Sequence, residues 1–194
     1  MPLAPGRHLD LLNEALELEA QGQAALLSGD TERGKEAMRG AADLYRCSWE
    51  HAQPDSYGRL IGLLKAAVIG GAGEHAAAYV REQLNDFAAS PAAGYALAIA
   101  ALVQEQDALA ANAAETMREG SPAFVRAADA IVALAERDAR AYERAVRAIV
   151  ADFETRDRHL TGVAIADTAL MLELLAAARG LACSPSSPLL PTLG

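Results

Sequence analysis

The stretch from Leu18 to Tyr45, LEAQGQAALLSGDTERGKEAMRGAADLY, constrains the fold more than any other part of the chain. Leu18, Gly22, Ala25 and Leu26 recur at helical spacing, so one face of a first helix is apolar and small. Gly29 stops that helix, because a glycine just past the last turn takes the left-handed conformation that lets the chain reverse. Asp30 or Thr31 then offers an oxygen to the unpaired N–H groups of a second helix. Gly34, Ala37, Met38, Ala41, Tyr45 and Trp49 share one face of that helix. With small residues at Gly22, Gly34 and Ala41, the two axes can approach closely, and the expectation is a helical hairpin.

The remaining sequence reuses this pattern. The chain is 52% hydrophobic but only 5% aromatic, so its core has to be assembled from Ala, Leu, Val and Ile. Closely packed alanine-rich helices meet that condition, and alanine is the best helix former. Further helices are expected over about 57–69, 74–87, 91–104, 107–120, 122–136, 138–155 and 163–179, after first helices over about 7–28 and 31–52. Asp55 or Ser56 is a candidate cap for the third, and Ser90-Pro91 and Ser121-Pro122 are start signals for the fifth and seventh. Gly70-Gly71-Ala72-Gly73 breaks the pattern as a turn; it lacks the Lys-Ser/Thr that a phosphate loop requires. Aligning Asp30, Glu74, Asp107 and Asp138 gives a rough internal repeat of four hairpins followed by a single helix. The fold class is all-α.

Gly22, Gly29, Gly34 and Ala41 also resemble the tetratricopeptide repeat, a helix–turn–helix unit of about 34 residues. The family's mid-helix glycine falls on Gly22, its turn glycine on Gly29, and its small second-helix positions on Gly34 and Ala41. The chain departs from the pattern at Leu18, Gln21, Ala25 and Arg46. The resemblance implies a right-handed stack of antiparallel hairpins, an α-solenoid of about nine helices with a concave face for partners. The closing LAAARG…SPLLP segment loosely resembles the ends of all-helical toxin-immunity families and of uncharacterised helical proteins from GC-rich bacteria.

At 194 residues the chain suits one helical-repeat domain, residues 1–183, with an extended tail over 184–194. The last helix, VAIADTALMLELLAAA, is apolar on nearly all sides and is expected to be buried, with Arg156 or Arg158 pairing Asp167. Three prolines after Gly180 favour an extended path, folded back so that Leu189 and Leu190 leave water. Pro2, Pro5 and the early acidic residues Asp10, Glu14, Glu17 and Glu19 argue against a signal peptide or membrane span.

The formal charge is −9, with 26 acidic side chains against 17 basic ones, which disfavours a nucleic-acid partner. Cys47 and Cys183 imply no disulfide framework, so a cytoplasmic setting is expected. Cys47 and His51 sit one turn apart, but a zinc site needs more ligands and no second pair has partner spacing; a buried Cys and half-exposed His are the expectation. Tyr45 and Trp49 read as an aromatic pair, with Trp49 a candidate partner contact. Arg137, Arg140, Arg144 and Arg147 advance by three, four and three residues along one face of the eighth helix. Glu143 is placed to pair with Arg147, and the rest of the stripe is a candidate dock for an acidic partner. No catalytic set, metal or cofactor is expected. The function expected is that of a non-enzymatic protein–protein interaction module, with a second copy of the chain among the partners considered. The alternatives are a toxin-neutralising immunity protein and a helical domain that binds a small ligand between its helices.

Overall fold

The computed structural model describes residues 6–191; Pro2, Pro5 and the last residues of the 184–194 segment lie outside the described residues. Nine helices and no strand are found among the described residues. They are α1 (Arg7–Leu27), α2 (Thr31–Glu50), α3 (Gly58–Ile69), α4 (Gly73–Leu84), α5 (Pro91–Val103), α6 (Asp107–Met117), α7 (Pro122–Ala135), α8 (Ala139–Glu154) and α9 (Asp167–Ala178). None of these helices is long and apolar enough to cross a membrane.

The first hairpin closes as its small residues dictate. A side chain at Gly22 would meet the Met38 sulfur at 2.9 Å and the Gly34 carbonyl at 3.1 Å, and one at Gly34 would meet Leu26 at 2.6 Å. The α1 and α2 backbones therefore touch where neither helix has a side chain. Gly29 adopts φ 86°, and the Asp30 amide reaches back to the Ala25 carbonyl at 2.9 Å. The Asp30 carboxylate then accepts from the Arg33 amide, capping α2.

The same turn recurs at three later junctions between helices, carried by backbone rather than by residue type. Gly71, Glu105 and Arg137 are also left-handed, and the amide after each bonds the carbonyl five residues back: Ala72 to Ala67, Gln106 to Ala101, Asp138 to Ala133. These are the paired bonds that satisfy the last carbonyls of a helix before the chain reverses. The register expected through Glu74 and Asp107 thus moves to Ala72 and Gln106. Neither of those two residues makes a side-chain cap bond, so an alignment through acidic caps could not find them. A left-handed Arg137 also corrects the arginine stripe, because that residue precedes α8 instead of lying on it.

Other local expectations shift for similar reasons. Tyr57, not Asp55 or Ser56, precedes α3, and the Asp55 carboxylate accepts from the Tyr57 hydroxyl instead. Helix α4 stops at Leu84 because Asn85 and Asp86 are both left-handed, which leaves Phe87 exposed beyond the helix. Helix α9 starts at Asp167, four residues later than the sequence suggests.

Each helix packs on the next from α1 to α8, while α3 also packs on α5 and α5 on α7. Helix α5, PAAGYALAIAALV, is consequently covered on every side, and all residues from Ala93 to Leu102 are buried. Helix α9 does not continue the sequence of neighbours. It lies against α3, α7 and α8, reaching across the layer formed by α3, α5 and α7. Its residues from Asp167 to Glu173 are all buried.

Candidate functional site

Where α9 crosses this layer, polar residues from distant parts of the chain meet. Lys65 stands in the apolar run LIGLLKAAVI of α3, on the side toward α9, and only 15% of its side chain is exposed. Its ammonium pairs with Asp167 of α9 and donates to the Thr168 hydroxyl at 3.1 Å. Burial pushes the Lys65 pKa down, but Asp167, with Tyr95 and Glu19 behind it, outweighs that and leaves it raised. A buried ammonium without a carboxylate would be strongly destabilising. The pair therefore fixes the first turn of α9 on α3.

Beside it lies a second polar group. Glu19 of α1 is 4% exposed; it accepts from the Tyr45 hydroxyl at 2.6 Å and from the Gln23 amide at 2.9 Å. Burial raises the Glu19 carboxyl above its ordinary value, the Tyr45 hydrogen bond opposes this, and nearby Asp167 adds to it. Gln23 in turn accepts from Thr161, in the segment between α8 and α9. That segment, residues 155–166, closes over the end of the layer. Its far end is held by the Ala166 amide, which donates to the Leu189 carbonyl at 2.9 Å.

Between these groups is a partly enclosed chamber of about 220 Å³. Its apolar walls include Ile61, Phe124, Ile149, Phe153 and Ile165, and its charged lining is Lys65, Arg126, Asp152, Arg156 and Asp167. Arg126 and Arg156 both bond Asp152, one on each carboxylate oxygen, and the Arg156 guanidinium rests 3.7 Å from the Phe153 ring centre. Two lining atoms are buried without a hydrogen-bond partner among the described residues: the Tyr95 hydroxyl and His159 Nδ1. Tyr95 is 5% exposed, and burial raises its pKa. The Thr168 hydroxyl stands near enough to the Tyr95 hydroxyl to oppose that rise in part.

On the other side of α9, Glu173 is 4% exposed and fully engaged. It accepts from the Tyr142 hydroxyl at 2.9 Å and from the Cys183 and Ser184 amides at 3.3 and 2.6 Å. Burial, reinforced by Glu173, pushes the Cys183 thiol up to about 12, which keeps it protonated.

The residues singled out from sequence lie elsewhere. Arg140 and Arg144 are exposed on α8 without an ion pair among the described residues; Arg147 pairs with Glu143 at 2.8 Å, and Arg137 reaches Asp107 at 3.6 Å. Trp49 stacks on Tyr57 at 5.7 Å, whereas Tyr45 points into the core, so the expected Tyr45–Trp49 pair is not formed. Cys47 is exposed, not buried, and the carbonyl of its backbone meets His51 Nδ1. Asp167 takes Lys65 as its partner in place of Arg156 or Arg158. Lys65, Tyr95, Glu19 and Arg126 were not anticipated as site residues. A signal existed for the first two, since each is a polar residue inside an otherwise apolar run of its helix. Comparison with protein-family models, curated proteins and solved structures finds no match to this chain.

Proposed function

We propose that the protein is a non-enzymatic binding module that holds a small molecule in the chamber between α3, α5, α7, α8 and α9. The observation that carries this reading is an apolar-walled cavity lined by a few polar and charged side chains, Lys65, Tyr95, Arg156 and His159 among them. Such a combination of greasy walls and a few placed polar groups is the usual form of a ligand site. Binding is favoured over catalysis because the charged lining residues are committed to one another, Lys65 to Asp167 and both arginines to Asp152. The proposal extends to architecture: a tetratricopeptide-like hairpin stack whose inner face is taken by its own last helix. The four recurring turns and the side-by-side packing of α3, α5 and α7 support it. A cytoplasmic setting accords with two free cysteines.

Ligand-observed NMR with a set of neutral and charged fragments tests the reading. Ala123→Trp places a ring from the half-buried rim of α7 into the chamber. Fragments should bind the parent protein and be lost from this variant. Hits that survive Ala123→Trp, or no hits at all, would defeat the proposal.

A second reading, recognition of an acidic protein surface, draws on Arg140 and Arg144, which are exposed and unpaired among the described residues although the chain is strongly acidic. Toxin neutralisation is one form it can take. Reversing both residues to Glu should weaken capture of such a partner and change stability by less than about 0.5 kcal/mol. Undiminished capture would leave Arg140 and Arg144 as an ordinary solvated face.

A further inference from the structure

We infer, resting on the small-molecule reading, that residues 157–164 form the lid of the chamber. The Thr161 hydroxyl on Gln23 fastens it shut, and small molecules enter where it lifts.

Outside residues 155–166, every lining residue of the chamber belongs to a helix: α1, α3, α5, α7, α8 or α9. Moving any of those walls would break interhelical packing and uncover apolar core. Residues 155–166 supply His159, Leu160, Thr161 and Val163 to the lining and form no helix. Both ends of this stretch are pinned. Thr155 donates to the Asp152 carbonyl at 2.9 Å and Arg156 to the Asp152 carboxylate at 3.1 Å, while the Ala166 amide meets the Leu189 carbonyl. Between the pins the backbone bonds are local, from the Gly162 amide to the His159 carbonyl and from the Ile165 amide to the Val163 carbonyl. Among the described residues, the one side-chain hydrogen bond that ties residues 157–165 to a helix is Thr161 to Gln23. Gln23 is itself held by Glu19 at 2.9 Å, so the helix side of this latch is fixed. A single neutral hydrogen bond is weak enough to break and re-form while the rest of the fold stays intact. Leu160 leaves 81% of its surface in water and adds little to closure. Gly162, at φ 80°, makes a turn there that a glycine adopts without strain. When the latch is made, the His159 ring lies beside Phe153 with centres 6.1 Å apart and covers the chamber's aromatic wall.

Cysteine labelling tests the lid, in a Cys47→Ser parent because Cys47 is exposed. Cys183, whose thiol burial pushes up to about 12, reacts slowly, and its contribution is the rate of that parent. Ile149→Cys on α8 and Thr168→Cys on α9 each place a thiol on the chamber wall. Val146→Cys places one in the buried core, one turn earlier on α8 and outside the chamber lining. With a bulky aromatic disulfide reagent, both chamber thiols should react about a hundredfold or more faster than Val146→Cys. Their rates should hardly change in low concentrations of urea, because lifting a lid exposes little surface. Adding Thr161→Val should speed chamber labelling by about tenfold. Circular dichroism and thermal melting establish that each variant folds, and two chamber positions keep the test standing if one does not. Chamber thiols that react no faster than Val146→Cys, or only in step with urea, would show that the chamber opens by unfolding and overturn the lid. Labelling unchanged by Thr161→Val would overturn it too, placing the entrance elsewhere. If the lid fails while fragments bind and are lost from Ala123→Trp, the chamber survives with another entrance. If the lid opens as expected and no fragment binds, the small-molecule reading falls alone.

Discussion

The α1/α2 hairpin and the segment from α9 to Pro191 are built on opposite terms. The hairpin is local: its turn, its cap and its backbone contact at Gly22 and Gly34 involve residues close in sequence, and its inner face is mostly small or apolar. The C-terminal segment is held by buried ionic and polar contacts to remote elements, with Lys65 bonded to Thr168 across 103 positions and Glu173 reaching Tyr142 on α8. Apolar contacts tolerate adjustment, whereas a buried charge loses heavily when its partner goes. The two regions should therefore fail differently.

Glu173→Leu should give the largest loss, about 3 kcal/mol, because it strands the Tyr142 hydroxyl and the Cys183 and Ser184 amides. Chemical denaturation measures the cost, and faster hydrogen exchange at Cys183 and Ser184 should show that the chain after α9 has come away while α1 and α2 stay protected. A uniform loss of protection would erase the distinction between the regions.

Gly34→Val attacks the hairpin instead. The new side chain has to displace Leu26 and press toward the Gly22 carbonyl at 3.2 Å, an overpacking worth about 2 kcal/mol. Thermal melting should fall accordingly. If stability is unchanged, the two helices have room that the geometry denies.

Gly29→Val tests the turn alone. Nothing lies within 4 Å of the added Cβ, so only the strain of a β-branched residue at φ 86° remains, about 1 kcal/mol. A loss as large as that of Gly34→Val would mean that the turn, not the helix contact, limits the hairpin.

Glu19 links the two regions, and its effect is the smallest. Its folded pKa is raised, so the stability it contributes is fully present below the ordinary carboxyl value of 4.5 and drains away as pH rises through the raised value. Glu19→Gln removes that drain. The variant's melting temperature should gain on the parent's between about pH 4.5 and pH 7, as followed by a pH series of thermal melts. A constant difference across that range would show that Glu19 ionises as if it were in water.

The sequence by itself determined the helices and the reversals between them. Helical period, the Ser90 and Ser121 starts and the left-handed Gly29 act through bonds a few residues long, so they can be read without knowing the rest of the fold. It also marked α9 for burial through its lack of a polar face. The tertiary structure decided what buries it. Lys65 in α3 and Asp167 in α9 each look like an isolated charge in an apolar run, and only packing brings them together. The same packing moved Asp167 away from its nearer arginines, spent Arg126 and Arg156 on Asp152, and buried Tyr95 in the middle layer. Charges in water interact weakly at any distance along a chain, but once buried they interact strongly with whatever lies beside them. The site was therefore written in residues the sequence displays and assembled by contacts it does not.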